Sequence, residues 1–125
     1  YSIKGDTVLD PFLGTGTTLL AALASERNGI GYEIDESFSE LINKNLMNSV
    51  SELNNYIYER LLRHINFIKD EESKGKKIYI CSHHGFNIKT KQETDIVVNR
   101  ILNMSYTGEN CYCAEYEPIQ NISRQ

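Results

Sequence analysis

A glycine-rich turn between an apolar run and a stretch of helix formers most constrains how this chain can fold. The run Thr7–Asp10 is typical of a short buried strand, and the turn Pro11–Gly16 interrupts it. Leu19–Ala24 consists of strong helix formers, and Gly29–Ile34 indicates a second strand. A β-α-β unit almost always crosses over with the right hand and forms a parallel sheet. The sequence therefore predicts an α/β fold.

Helix signals continue through the middle of the chain. Thr17 and Thr18 are good capping residues for the first helix, and Ser37 with Glu40 three residues later forms a capping-box pattern for the next. An apolar stripe at steps of three and four residues then predicts a long helix to about residue 70, whose length favours a kink. The stripe consists of Leu46, Val50, Leu53, Ile57, Leu61, Leu62, Ile65 and Ile68. The charged segment Asp70–Lys77 is predicted to be a turn.

The last third of the sequence indicates antiparallel strands. Lys77–Cys81 alternates like a strand, and Ile96–Met104 is rich enough in β-branched residues to favour a strand, although a helix is possible there. Turn residues at Tyr106–Asn110 and renewed alternation in Cys111–Tyr116 predict a hairpin.

Length and composition bound the architecture. The chain has 125 residues, enough for one core, and we divide it into a β-α-β-α portion, residues 1–74, and an antiparallel β-rich C-terminal extension, residues 75–125. It begins at Tyr1 rather than a methionine and enters the first strand at once, so we expect a fragment of a larger protein.

The net charge and the cysteine content limit the cellular compartment and the classes of binding partner that the chain can have. A net charge of −4 argues against a chain that grips a nucleic-acid backbone by itself. Its three cysteines, Cys81, Cys111 and Cys113, make a poor disulfide framework and suit a reducing compartment. The sequence has neither a long apolar run nor a signal-peptide pattern, so we predict a cytoplasmic protein without a membrane partner.

The glycine-rich turn also indicates the kind of ligand. Such a turn lets a ligand approach backbone N–H groups and the positive end of a helix dipole, so an anionic group fits there. Glu33, at the end of the second strand, would lie beside the same crevice and can accept hydrogen bonds from both hydroxyls of a ribose. The pattern therefore predicts a ribose-bearing ligand.

Three residues decide between the ribose-bearing ligands. Leu19 stands where the dinucleotide fingerprint has its third glycine, and Thr17 stands where the Walker pattern has its lysine. Asp10 at the strand end would repel a pyrophosphate but attract a cationic amino acid end. These features favour S-adenosylmethionine, which carries an ammonium and a sulfonium.

The run VLDPFLGTGTT followed by GIGYEID resembles motifs I and II of the amino-group DNA methyltransferases, which methylate an exocyclic nitrogen of adenine or cytosine. The resemblance covers Gly5 to about Asp35 and implies part of a Rossmann-like fold that uses S-adenosylmethionine. It also implies nine cofactor-binding residues: Asp10, Phe12, Gly14 and Gly16 at the methionine end, Thr17 and Thr18 near its carboxylate, Glu33 at the ribose, Ile34 against the adenine, and Pro11 within the same turn.

The chain departs from this family in one respect. The family holds the flipped target base with a D/N/S-P-P-Y/F motif, but the two prolines here, Pro11 and Pro118, are far apart in sequence. We therefore assign no catalytic residue to this chain. One subclass has a permuted order with the cofactor half last, so we expect the catalytic half and most DNA contacts from another segment, in cis or in trans, with a homodimer possible.

Other functions stay open from the sequence alone. An RNA methyltransferase that acts on a guanine amino group can carry a similar turn. A structural or regulatory domain that retains the cofactor without catalysis is a second alternative, and a nicotinamide-dependent enzyme is a more distant third.

Two side-chain clusters also have alternative interpretations. Cys81, His83, His84, Cys111 and Cys113 could ligate zinc, but their spacing is not that of a recognised finger, and we expect no metal. Six basic residues could form a local DNA-binding face, although a solvated surface is favoured. They are Lys74, Lys76, Lys77, Lys89, Lys91 and Arg100.

Overall fold

A computed structural model describes residues 2–84, 86–89 and 97–120. Helices and strands alternate in a mixed arrangement that is compatible with the predicted α/β class. Their order is β1 (Thr7–Asp10), α1 (Thr17–Ala24), β2 (Asn28–Gly31), α2 (Phe38–Met47), α3 (Val50–Ser73), β3 (Tyr79–Ile80), β4 (Asn87–Ile88), β5 (Asn99–Gly108) and β6 (Cys111–Pro118). These strands pair as β1–β2, β3–β4 and β5–β6.

The predicted β-α-β unit is present. Strands β1 and β2 are parallel, and Asp10 at the end of β1 lies opposite Gly31 at the end of β2. Strand β2 is shorter than the predicted Gly29–Ile34, because beyond Gly31 the chain turns toward α2. Gly31 is required by a close approach: a Cβ atom there would lie 2.5 Å from Cδ1 of Leu13 in the glycine-rich turn. The turn and the end of β2 are therefore packed directly against each other.

The apolar stripe belongs to two helices rather than to one long helix. Helix α2 ends at Met47 and α3 begins at Val50. The Ser49 hydroxyl donates to the carbonyl of Leu46 at 2.7 Å, and such local side-chain bonding competes with continuation of a helix. The predicted kink is thus a complete interruption between two helices, and the hydrogen bond of the Ser49 side chain explains its position.

The predicted charged turn begins later than expected, because α3 continues through Ser73. Lys74 forms a salt bridge with Asp70 at 3.0 Å, and the Ser73 hydroxyl donates to the Asp70 carbonyl at 2.6 Å. The first contact pairs the Asp70 carboxylate, and the second gives a hydrogen-bond donor to a backbone carbonyl in the last helical turn. Gly75 follows with a φ of 77°, a left-handed conformation that commonly ends a helix.

The predicted C-terminal hairpin is observed as β5 and β6. The connecting residues Glu109 and Asn110 have φ values of 53° and 57°, the pattern of a two-residue type I′ turn whose twist matches that of the paired strands. The predicted strand began at Ile96, which lies outside the described residues. Strand β3 is shorter than the predicted Lys77–Cys81, and its antiparallel partner β4 was not predicted from the sequence.

Contacts divide the chain into two compact units. The first contains Tyr1–Tyr56 with Ile101–Tyr116, and its buried apolar residues are Ala22, Leu46 and Ile101. The second contains Ile57–Arg100 with Glu117–Gln125. Its buried apolar residues are Ile57, Leu61, Ile68, Cys81, Phe86, Ile88 and Ile119. The units interleave along the chain, and the sequence division at residue 74 stays a prediction.

Polar side chains fix the hairpin within the first unit. The Tyr116 hydroxyl donates to the Leu23 carbonyl in the last turn of α1 at 2.7 Å. Asn54 of α3 forms two bonds with the backbone of Ile101, donating to its carbonyl at 2.8 Å and accepting from its N–H at 2.7 Å. Asn54 thus satisfies both backbone groups of a strand residue, as a neighbouring strand would.

A histidine has the corresponding role in the second unit. The Nε2 atom of His84 accepts from the N–H of Val98 at 2.9 Å, and its Nδ1 atom lies 3.0 Å from the carbonyl of Ile119. The two bonds together require the neutral tautomer with the proton on Nδ1. The ring also stacks on Phe86, with centroids 5.6 Å apart.

Replacing His84 by Ala is expected to lower the free energy of unfolding by about 1–3 kcal/mol, because two backbone groups lose their partner. Urea denaturation followed by circular dichroism measures this effect. The control is His83→Ala, which removes the exposed neighbouring ring. Equal stability of the two variants would contradict the assigned role of His84.

Over the described ranges, the helices are too short or too polar to cross a membrane.

Candidate functional site

The structure places the nine residues predicted to bind a cofactor around the carboxyl ends of β1 and β2 and the start of α1. Asp10 is the last residue of β1, and Glu33 follows β2 by two residues. Glu33 accepts a hydrogen bond from the N–H of Gly14 at 2.6 Å, which joins the end of the second strand to the glycine-rich turn. The two acidic residues therefore flank one turn on adjacent parallel strands.

Asp10 is held by two donors at the start of the site. One carboxylate oxygen accepts from the Thr18 hydroxyl at 2.5 Å, and the other accepts from the N–H of Phe12 at 3.0 Å. The Thr18 bond, followed by the Phe12 bond, lowers the pKa of Asp10 below its ordinary value. Asp10 is thus an oriented, ionised carboxylate, and each oxygen keeps a lone pair for a cationic ligand.

Replacing Thr18 by Val is expected to raise the pKa of Asp10, because the largest cause of its lowering is lost. Since the folded-state pKa is lowered, ionised Asp10 stabilises the fold at neutral pH, and this contribution is lost as the pH falls through the lowered pKa. In the variant this contribution should be smaller, and its loss should be complete at a higher pH than in the parent. Carboxyl-carbon NMR titration measures the shift, and Thr17→Val, at the exposed neighbouring threonine, should leave it unchanged.

The glycine-rich turn differs from expectation in its hydrogen bonds. Gly16, with a φ of 93°, occupies the N-cap position of α1, and no side chain caps this helix, so the prediction that Thr17 and Thr18 cap it is wrong. The N–H groups of Leu13 and Gly14 are already bonded, to the Tyr32 carbonyl and to Glu33. The first turn of α1, which has no side-chain cap, therefore offers N–H groups to an anionic ligand.

The apolar members of the predicted site face solvent. Phe12 is 87% exposed and Ile34 is 99% exposed. Pro11 and Thr17 are also exposed, whereas Gly16 is buried. The described residues thus place the polar groups of the predicted site at the two strand ends and leave its apolar members uncovered.

A cavity of about 200 Å³ lies between α1, α2 and the start of α3. Its lining contains none of the nine predicted residues and consists of Leu20, Lys44, Asn45, Asn48, Ser49, Glu52 and Leu53. The ligand hypothesis therefore rests on the polar groups of the strand ends and not on this cavity.

Helix α2 supplies two contacts to the turn that sequence reasoning missed. The side-chain amide of Asn45 donates to the carbonyl of Thr15 at 3.0 Å. The side chain of Ile42 lies against Gly16, where a Cβ atom would be 3.6 Å from its Cγ2 atom. Neither residue belongs to a motif, and helical spacing alone does not reveal that α2 contacts the turn.

The alternative clusters have structural roles in the described part of the chain. There, no group of three or more potential ligands could hold a metal, and both ring nitrogens of His84 face backbone groups. Four of the basic residues have local partners: Lys74 with Asp70, Lys76 with Glu71, Lys77 with the Tyr79 ring and Lys89 with the Phe67 ring. Arg100 pairs with Glu117. Lys91 lies outside the described residues.

Comparisons with known proteins find similar sequences over the segment that contains the two strand ends. Residues 1–44 match a family model described as DNA methylase. The chain is similar to the Type II methyltransferase M.MthZI of Methanothermobacter thermautotrophicus, with 44% identity over 96 residues, which are 77% of this chain and 26% of the relative. This similarity extends well beyond the part that matches the family model.

Two further relatives are similar over different lengths. Type II methyltransferase M.MjaI of Methanocaldococcus jannaschii is 61% identical over 37% of this chain and 15% of its own length. Type II methyltransferase M.HpaI of Haemophilus parainfluenzae is 34% identical over 73% of this chain and 28% of its own length. The chain thus spans about a quarter or less of the first two relatives.

No solved structure matches the chain. The family match and the relatives nevertheless agree with the two motifs on either side of α1. Together they confirm the resemblance to the amino-group DNA methyltransferases, and residues 1–44 are the part of the chain that matches the DNA methylase family model.

Proposed function

We propose that this chain is the S-adenosylmethionine-binding portion of a site-specific DNA methyltransferase that acts on the exocyclic amino group of adenine or cytosine. The observation that supports this most strongly is the position of Asp10 and Glu33, which flank one glycine-rich turn at the ends of adjacent parallel strands. The β-α-β unit would then be the first part of a Rossmann-like fold. DNA is the proposed substrate of the complete enzyme, with a role in restriction and modification.

The roles of the residues follow from charge and hydrogen bonding. Asp10, ionised and fixed by Thr18, would face the ammonium and sulfonium of the methyl donor. The uncapped first turn of α1, next to Gly16 and Thr17, would receive the donor's carboxylate. Glu33 would accept hydrogen bonds from the ribose while it holds the N–H of Gly14.

The remaining predicted contacts are apolar or part of the turn. Exposed Phe12 and Ile34 would cover the donor, with Ile34 against the adenine and Pro11 and Gly14 shaping the backbone between them. Binding would remove apolar surface from water, which contributes a favourable free energy of about 25 cal/mol for each square ångström covered.

The reaction requires groups from outside this chain. When bound, S-adenosylmethionine would supply the methyl group of its sulfonium: a bond forms between the target amino nitrogen and the methyl carbon as the carbon–sulfur bond breaks, which leaves S-adenosylhomocysteine and one proton. The chain would hold and orient the donor. With Pro11 and Pro118 far apart in sequence, the Pro-Pro-aromatic motif that accepts the target base would come from another segment of the protein or from a partner subunit.

The experiment uses the full-length protein that contains this chain. Calorimetric titration with S-adenosylhomocysteine and with NAD should show binding of the former alone. Transfer of a labelled methyl group should proceed to duplex DNA and not to structured RNA of matched length. Preference for NAD would overturn the cofactor assignment, transfer to RNA would overturn the substrate assignment, and binding without transfer to either would indicate a regulatory domain.

A further inference from the structure

The glycine-rich turn has one hydrogen bond from a helix that belongs to neither motif. Asn45 of α2 donates its side-chain amide to the Thr15 carbonyl at 3.0 Å. Thr15 stands between Gly14, with a φ of 57°, and Gly16, with a φ of 93°. The bond therefore acts on the peptide unit that links Thr15 to Gly16, a residue in a left-handed conformation.

This position makes the bond important for the shape of the turn. Glycine adopts positive and negative φ about equally readily, so rotation about the N–Cα bond of Gly16 can give this peptide other orientations at low cost. The Thr15 carbonyl belongs to the same peptide as the Gly16 N–H, which donates to the Leu13 carbonyl at 3.1 Å. Fixing the carbonyl with Asn45 consequently fixes the N–H on the other side of the peptide and the direction in which α1 begins.

Helix α2 is itself held in place within the first unit. The Tyr112 hydroxyl of β6 donates to the Asn43 side chain at 2.9 Å, and Ile42 lies against Gly16. Asn43 and Asn45 are on the same helix, so the hairpin supports the helix whose side chain holds the turn. This arrangement gives β6 a connection to the candidate site through two hydrogen bonds and one helix.

We propose that Asn45 is a positioning residue for the cofactor turn, acting through the Thr15 carbonyl without touching the cofactor. The proposal rests on the function proposed above. Because the first turn of α1 would receive the donor's carboxylate, a turn that samples other peptide orientations presents its N–H groups correctly for part of the time. The apparent dissociation constant then increases by the inverse of that fraction.

The test compares three variants in the full-length protein. Asn45→Asp is nearly isosteric but cannot donate, and its carboxylate would repel the Thr15 carbonyl. We expect it to weaken S-adenosylhomocysteine binding by roughly 2–13-fold, which is the effect of one lost hydrogen bond. Asn45→Gln retains an amide donor and should recover part of the affinity. The control, Asn55→Asp, makes the same change at an exposed position of α3.

Steady-state kinetics separates positioning from loss of fold. Asn45→Asp should raise KM for S-adenosylmethionine while KM for DNA and the melting temperature stay near those of Asn55→Asp. An unchanged KM for the methyl donor, or equal changes in the two variants, would overturn the proposal. A KM for DNA that rises equally would also overturn it, because the effect would then be a general loss of structure.

A second measurement does not need the cofactor. Amide hydrogen exchange of Gly16 should be faster in Asn45→Asp than in Asn55→Asp, because the turn is released. If the parent protein does not bind S-adenosylhomocysteine, the proposed function fails, yet the exchange rates still decide whether Asn45 fixes the turn. Equal exchange rates in the two variants would overturn the positioning role itself.

Discussion

Replacing Gly16 by Asp is expected to weaken binding of S-adenosylhomocysteine by at least about 100-fold, or roughly 2.7 kcal/mol. Gly16 is the N-cap residue of α1, whose first turn has no side-chain cap. An aspartate at an N-cap accepts hydrogen bonds from the N–H groups of that turn. The new carboxylate would therefore compete with the ligand's carboxylate for the same donors and repel it at short range.

Two controls separate this charge effect from backbone strain. A Cβ atom at Gly16 would be 3.6 Å from Ile42, an ordinary contact, so Gly16→Ala adds the strain of a positive φ without a clash or a charge. Gly5→Asp places the same charge at a φ of 87° in open space at the opposite end of β1. We expect less than about a 10-fold loss for both controls, since strain of about 1–2 kcal/mol acts mainly on folding.

Isothermal titration calorimetry measures the affinities, and thermal unfolding shows whether each variant is folded. A folded Gly16→Asp protein that binds S-adenosylhomocysteine as tightly as the parent would show that the ligand's carboxylate does not lie at the start of α1. Equal losses in Gly16→Asp and Gly5→Asp would instead show a nonspecific effect of added negative charge.

Replacing Glu33 by Ala should cause the second large loss of affinity, again on the order of 100-fold or more, because the two charge-assisted hydrogen bonds proposed between Glu33 and the ribose would be lost. The structure adds a second reason. Glu33 also accepts from the N–H groups of Gly14 and Asp35, at 2.6 and 3.1 Å, so its loss frees both the turn and the chain after β2.

Comparison of ligands distinguishes these two contributions of Glu33. Loss of ribose contacts should make the variant insensitive to removal of the ribose 2′-hydroxyl from the ligand, whereas the parent should bind the deoxy ligand more weakly. Glu36→Ala, at an exposed glutamate in the same segment, is the matched control. If Glu33→Ala and Glu36→Ala have equal affinities, the ribose assignment is wrong.

The first third of the fold could be predicted from the sequence because local signals there agree with one another. The bounds of β1 match the predicted run Thr7–Asp10, and the parallel pairing with β2 follows from the helix between them. The capping prediction failed because Thr18 had a competing acceptor: its hydroxyl donates to Asp10, eight residues earlier in the chain. Such a contact depends on how the turn folds back and leaves no periodic signal.

Helices α2 and α3 show which features sequence patterns do not predict. The apolar stripe continues from Leu46 into α3 although the helix is interrupted at Ser49. Apolar residues recur at helical spacing in both helices, so the spacing does not reveal where the backbone leaves the helical conformation. The contact between Asn45 and Thr15 spans 30 residues and depends on how α2 packs. Hydrogen bonds of this kind follow from tertiary packing, so no spacing rule predicts them.

The parallel pair β1–β2 has one further consequence. Leu9 and Ile30 lie side by side in the pair and are 60% and 49% exposed, and Tyr32 beyond them is 63% exposed. Parallel strands in proteins are normally covered on both faces. Exposed apolar surface of this kind favours association in water. Preparations of residues 1–125 alone should therefore bind hydrophobic dyes and self-associate as the protein concentration rises. A protein surface that covers these three side chains should suppress both effects.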